Sequence, residues 1–203
     1  MFVEKGETLY RSGDKSEAIF RVDDGLIGLV YTTKDGNDHL LRLFSKGQLV
    51  GHRTYYEGAG VYHATAIALE KSHVERIPIV EWEKAVVANP KIEKEILKQL
   101  AIELRFAEES RIRLTEDDVE GRVAQALLYF NFKSPSYQWT RKELAEWIGS
   151  TAPTVVRVLN RFSEKNWIKR VGRRIILTNT DVLKEVGCCS GTMRVETDRF
   201  KLK

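Results

Sequence analysis

The stretch Arg141-Lys142-Glu143-Leu144-Ala145-Glu146-Trp147-Ile148-Gly149-Ser150-Thr151-Ala152-Pro153-Thr154-Val155-Val156-Arg157-Val158 decides the reading of this 203-residue chain. Counted from Arg141, Ala145 is the fifth residue, Gly149 the ninth, Val155 the fifteenth and Val158 the eighteenth. Two helices that cross closely need a small residue at the crossing, and Ala145 supplies it. The turn between them needs a residue that reaches positive φ without strain, and Gly149 supplies that. Leu144 and Ile148 complete the inner face of the first helix. Val155, Val158, Leu159 and Phe162 complete that of the second. The pattern predicts a helix-turn-helix.

The opposite face of the second helix carries Ala152, Pro153, Val156, Arg157, Asn160 and Arg161. Ser150 or Thr151 can cap this helix, and Pro153 is tolerated in its first turn. A helix N-terminus so placed can meet a phosphate. Arg157 suits a guanine, because its fork matches the O6 and N7 acceptors. Val156 suits a thymine methyl, and Thr151 and Arg161 suit backbone phosphates. Arg141 and Ser150 flank the same surface.

Farther on, Lys169-Arg170-Val171-Gly172-Arg173-Arg174 separates the strand-like runs Trp167-Ile168 and Ile175-Ile176-Leu177. That reads as a basic β-hairpin beside the helix pair, with Arg173 and Arg174 placed to neutralise phosphates. A helix-turn-helix pattern alone arises often by chance. The basic hairpin at this distance makes it specific and points to double-stranded DNA as the partner.

Charge agrees. The chain carries 33 Lys and Arg against 29 Asp and Glu, a net of +4. The stretch 138–174 alone has nine basic and three acidic residues. Such asymmetry suits a polyanion partner for the second half. The two cysteines, Cys188 and Cys189, are adjacent, which excludes a disulfide framework and any four-cysteine metal centre held by one chain. No apolar run approaches the ~18–20 residues of a membrane span, and Met1 to Lys5 does not read as a leader. The expected compartment is a reducing cytoplasm.

Residues 1 to about 80 read as β. Short apolar runs such as Leu26–Tyr31 and His39–Phe44 alternate with turn signals, Asp23-Asp24-Gly25 and Lys34-Asp35-Gly36-Asn37 among them. A short helix is expected over Glu81–Ala88. From Lys91 to Leu114 no Gly or Pro interrupts, so one long helix is expected, opened by Asn89-Pro90. Leu97, Leu100, Leu104, Ala107 and Leu114 follow a 3-4 spacing broken by Arg111, while Ile92, Ile96, Ile102 and Phe106 lie elsewhere around it. Two apolar faces need two covers. The β domain is one; a second copy of the helix, meeting it along the Leu97–Leu114 seam, is the expected other. Thr115 to Asp118 then starts a helix to about Asn131, with Val123, Ala126, Leu127 and Phe130 as its buried stripe.

Taken together, these segments resemble the CRP/FNR family of bacterial transcription regulators over nearly the whole chain. The resemblance rests on Gly47-Gln48-Leu49-Val50-Gly51, on Ala64-Thr65-Ala66 leading to Ile77-Pro78, and on Asp118-Val119-Glu120-Gly121-Arg122-Val123-Ala124. It rests equally on Thr154-Val155-Val156-Arg157 and the Gly172-Arg173-Arg174 hairpin. It implies an α+β protein with an N-terminal double-stranded β-helix (jelly-roll) sensor over 1–88 and a dimerisation helix over 89–114. A winged helix-turn-helix over 115–187 and a tail over 188–203 complete it. It implies a homodimer on a near-palindromic promoter site, with RNA polymerase as a further partner.

The departures concern the signal. Where cyclic-AMP-binding relatives place a glutamate for the ribose, this chain has His52. Where they place Arg-Ser for the cyclic phosphate, it has Tyr62 and His63, and Ala107 and Glu108 stand where they offer Thr and Ser to the adenine. An effector pocket is expected near His52, Arg53, Tyr62, His63, Ala107 and Glu108, and cyclic AMP is not its expected occupant, since a cyclic phosphate wants an arginine fork. Iron–sulfur members carry N-terminal cysteines, and this chain has none there. Haem on His39, His52, His63 or His73, redox sensing by Cys188-Cys189, and operation without any effector remain open alternatives; no cofactor is expected. In the reading helix, Pro153 stands where many relatives have a glutamate and Ala152 replaces an upstream contact, so the half-site should differ from the usual consensus. A metal-dependent β-barrel enzyme would need a His-x-His, which occurs nowhere, so catalysis is not expected.

Overall fold

A computed structural model describes residues 1–187 except Asn37, Ser136 and Arg173, and leaves the side chains of Arg113 and Glu116 undescribed. The expectations for Arg173, Cys188, Cys189 and the tail therefore lie outside the described residues. These residues form two compact units, one ending at Phe106 and the other beginning at Ala107.

The first unit is a β-sandwich. Its strands are β1 (Phe2–Val3), β2 (Thr8–Tyr10), β3 (Ala18–Asp24), β4 (Ile27–Thr32), β5 (Asp38–Phe44), β6 (Leu49–Val50), β7 (Thr65–Ala68) and β8 (Ser72–Pro78). One sheet runs β1-β8-β3-β6 and the other β2-β7-β4-β5, every pair antiparallel. Alternate residues point inward from both sheets. Phe20 and Val22 of β3, Ile27 and Leu29 of β4, Phe44 of β5, Ala66 and Ala68 of β7 and Val74 of β8 make one core.

A six-residue helix, α1 (His52–Glu57), interrupts what composition reads as continuous β. Its Thr54, Tyr55 and Tyr56 favour strands. Tertiary packing overrides them. Gly51 precedes it at φ 87, where an added Cβ would stand 3.1 Å from Tyr62, and Gly58 ends it in the left-handed region. Tyr55 and Tyr56 pack on a second cluster of Ile19, Leu49, Trp82, Ile92 and Ile96. That cluster also receives α2 (Ile79–Ala88) and the first half of α3 (Lys91–Glu116). The unit boundary falls inside α3, so its first half belongs with the β-sandwich rather than to a separate helical segment.

The second unit contains α4 (Val119–Lys133), α5 (Arg141–Ile148), α6 (Ala152–Glu164), the hairpin β9 (Ile168–Val171) and β10 (Arg174–Leu177), and α7 (Thr180–Val186). Asp118 caps α4, accepting from the Gly121 amide at 2.7 Å. Val123, Ala126, Leu127 and Phe130 are buried along one face of α4, and Phe130 stacks on Trp139 with ring centroids 3.7 Å apart. The hairpin strands reach farther than the sequence reading set them. Lys169 and Arg170 are strand residues paired with Ile176 and Ile175, and Arg174 pairs with Val171. Among the described residues no helix is long and apolar enough to cross a membrane.

Candidate nucleic-acid interface and sensor site

Local chemistry sets the helix pair firmly. Thr140 and Glu143 form a reciprocal capping box on α5, and the Tyr137 hydroxyl donates to Glu143 at 2.7 Å. Gly149 ends α5 at φ 63, a conformation that strains a residue carrying a Cβ. Arg122 on α4 donates through Nε to the Ile148 carbonyl at 3.0 Å and through Nη1 to that of Asp117 at 2.6 Å, fixing α4 against the end of α5. Leu144, Ala145 and Ile148 of α5 and Val155, Val158, Leu159 and Phe162 of α6 are buried.

The other face of α6 is open. Pro153, Arg157, Asn160 and Arg161 are exposed, and Ala152 and Val156 half-buried. Thr151 is the N-cap, and Pro153 stands in the first turn. Two of the expected phosphate contacts have partners within the chain. The Thr151 hydroxyl accepts from the Thr154 amide and shares a 3.0 Å hydrogen bond with the Thr154 hydroxyl. Arg161 is drawn into an ion pair with Glu120 at the start of α4. Arg157 donates to Thr154 Oγ1 at 3.2 Å and otherwise faces outward. Arg141 opens α5 and Ser150 lies in the turn, both half-buried. In the hairpin, Lys169, Arg170 and Arg174 are exposed, with Arg174 donating to the Pro135 carbonyl at 3.5 Å.

In the first unit the residues singled out as a pocket divide. His52 and Arg53 converge, but on a group the sequence reading missed, the Glu103 carboxylate of α3. Arg53 Nε lies 2.6 Å from Oε2, Arg42 Nη2 of β5 2.7 Å from Oε1, and Gln99 Nε2 donates to Oε1 at 3.1 Å. His52 Nε2 stands 3.7 Å from Oε1, too far for a hydrogen bond. The Glu103 side chain is 2% exposed. Burial alone would push its carboxyl up; the Arg42 and Arg53 guanidiniums with the Gln99 amide hold it below its ordinary range. Burial pushes His52 down to about 4, so the ring is neutral at pH 7.

Tyr62 is a correction. It is 3% exposed, stacks on Tyr10 at 3.5 Å between ring centroids and donates to the Ala18 carbonyl at 2.5 Å; it belongs to the sandwich core. His63, Ala107 and Glu108 are exposed and make no part of the Glu103 cluster. His39 is exposed, and His73 leans on Asp23 at 3.3 Å. Among the described residues no group of three or more His, Cys, Asp or Glu side chains could hold a metal.

Along the expected seam, Leu97, Leu104 and Leu114 are 66%, 61% and 54% exposed. Ala107 and Arg111 are exposed as well. Leu100 is half-buried and packs against the Trp82–Ile96 cluster of its own chain.

Comparison with known proteins follows the two units. The family model for a cyclic nucleotide-binding domain matches residues 1–89, and that for a Crp-like helix-turn-helix domain matches 121–186. The fumarate and nitrate reduction regulatory protein of Escherichia coli K12 is 24% identical over 194 residues, 91% of this chain and 76% of that protein. FixK2 from Bradyrhizobium japonicum superposes with a TM-score of 0.81 at 21% identity, covering 94% of this chain and 98% of its own. TTHA1359 of Thermus thermophilus, a CRP/FNR-family transcriptional regulator, gives 0.76 at 24% identity over 92% and 97%.

The two guanidiniums at this site, Arg42 and Arg53, both face Glu103, whereas the phosphate of a cyclic nucleotide would need a guanidinium of its own. The cavity lined by Gln48, Leu49, His52, Ile96, Gln99 and Glu103 is about 10 Å³, room for about one water.

Proposed function

This chain belongs to the CRP/FNR family of transcription regulators, and from that premise we propose that it acts as a homodimer reading a near-palindromic promoter site through the exposed face of α6. The observation that carries the reading is the split of α6. Four apolar residues are sealed against the rest of the unit, while Arg157 and Asn160 on the opposite side face solvent. A helix so divided can lie in a major groove without unfolding anything. Arg157 is the candidate base reader, Asn160 and Val156 its neighbours, and the exposed Lys169, Arg170 and Arg174 the phosphate contacts.

The exposed leucines Leu97 and Leu104 support pairing of two chains along α3. Pairing would place two copies of α6 on successive turns of one duplex face, ~34 Å apart. A two-state shift of the paired helices would then set their spacing and so the affinity. The compartment that holds DNA and RNA polymerase is the one in which such a protein works, and the polymerase is its further partner. Pro153 offers no side-chain acceptor, so the half-site should lack the cytosine contact a glutamate would make there.

Selection of bound duplexes from a random pool by the full chain tests this reading. The expected product is an inverted repeat with half-site centres about 10 base pairs apart. An unselected pool, or a lone asymmetric site, would refute it.

A further inference from the structure

We propose that Glu103 is a built-in anionic occupant of the sensor site: its carboxylate holds the place between Arg42, Arg53 and His52 that a small oxyanion would otherwise take, and the β-sandwich grips α3 without a diffusible effector.

Three observations converge. The first is the donor set. Two guanidiniums from different elements, Arg42 on β5 and Arg53 on α1, aim at one buried point, and the Gln99 amide joins them. Convergent forks and amides are the chemistry of an oxyanion site. The second is the delivery of the anion. Ile92, Ile96, Gln99 and Glu103 follow one another at spacings of four, three and four, so they share one stripe of α3. Ile92 and Ile96 are locked into the Trp82 cluster. The carboxylate thus reaches its site on a rigid arm, at an effective concentration no free anion easily matches. The third is space. With Glu103 in place the adjoining cavity takes about one water, and the buried His52 ring lines it.

An ordinary buried ion pair would share the contacts but not the consequence. If Glu103 stands in for a ligand, shortening it should recreate a site for one. Glu103→Ala in the full-length chain removes the carboxylate and opens its volume, leaving Arg42 and Arg53 facing each other's charge. Sodium acetate should then stabilise the variant in a saturable way, raising its Tm by about 3–6 °C at ten times the Kd over sodium chloride of equal ionic strength. Glu103→Gln, whose amide still fills the space, should show no acetate-specific shift, and adding Arg53→Ala to Glu103→Ala should abolish it. Equal responses of Glu103→Ala to acetate and chloride would overturn the proposal. A second arm needs no variant to fold. Calorimetric titration of the unaltered chain with inorganic phosphate and with 3′,5′-cyclic AMP should show no saturable binding in the sensor unit. Binding there that Arg53→Ala abolishes would overturn the proposal outright. Neither arm involves DNA, so its failure is separate from any failure of the promoter reading.

Discussion

Arg157 Nη2 donates to Thr154 Oγ1 across 3.2 Å, one turn back along the exposed face of α6. Thr154 in turn shares a 3.0 Å hydrogen bond with the capping Thr151. The guanidinium proposed to read a base is therefore tethered to the helix N-terminus through two hydroxyls, which reduces the rotamer freedom it would lose on binding. Thr154→Val keeps the shape and deletes the acceptor. It should cost about 0.5–1.5 kcal/mol of discrimination at the base Arg157 reads. Fluorescence anisotropy with a selected duplex and its single-base variants measures this; an equal loss on every duplex would contradict it.

Glu120 pairs with a cation on the open face of α6. Its ion pair with Arg161 joins α4 to α6 and offsets a charge on the face proposed to read DNA. Glu120→Gln should release Arg161 toward backbone phosphate. Affinity at low salt should then rise for all sequences alike, and the slope of log affinity against log salt should steepen by about 0.9. An unchanged slope would show that Arg161 reaches no phosphate.

His52 should make the sensor unit acid-sensitive. Its folded pKa is lowered to about 4 from 6.5, by burial first, against the opposing pull of Glu103. The unfolded chain therefore takes up the proton before the folded one does. The stabilisation is complete above pH 6.5 and is lost as pH falls toward 4, a contribution of order 3 kcal/mol. Glu103, also depressed, adds a loss that begins as pH falls through the ordinary glutamate range. In urea unfolding, the unaltered chain should lose about 3 kcal/mol more stability than His52→Gln as pH drops from about 7 to about 4. Parallel curves would contradict the assignment.

Leu97 and Leu104 lie open on α3. Leu97→Asp with Leu104→Asp should leave circular dichroism unchanged, since neither side chain is buried within the chain. Sedimentation should show a monomer, and affinity for a two-half-site duplex should fall about 100-fold or more. A dimer that survives both substitutions would place the seam elsewhere.

The DNA-binding half was readable in the sequence because its signals are local. Capping at Asp118 and Thr151, the glycine turn at Gly149 and the 3-4 spacing of Val155, Val158, Leu159 and Phe162 are all set by near neighbours. The corrections there are long-range. Nothing near Arg161 in sequence announces Glu120, 41 positions earlier, as its partner. The sensor half was legible as a β-sandwich, but its site was not. Tyr62 was placed by resemblance in a pocket, and packing against Tyr10 and Ala18 puts it in the core. Glu103 carried one usable signal: a carboxylate on the same helical stripe as Ile92 and Ile96. A charge at a buried position requires buried partners, and Arg42 and Arg53 come from β5 and α1, which only the folded sandwich brings together.

The central claim is that the outward guanidinium of α6 reads a base. Arg157→Ala, measured against a selected duplex and against duplexes altered one base pair at a time, tests it most directly. Discrimination should collapse at one position in each half-site, by about 1–3 kcal/mol, with preferences elsewhere and the salt dependence retained. A variant that keeps full discrimination at every position, or loses affinity evenly across all duplexes, would contradict the account.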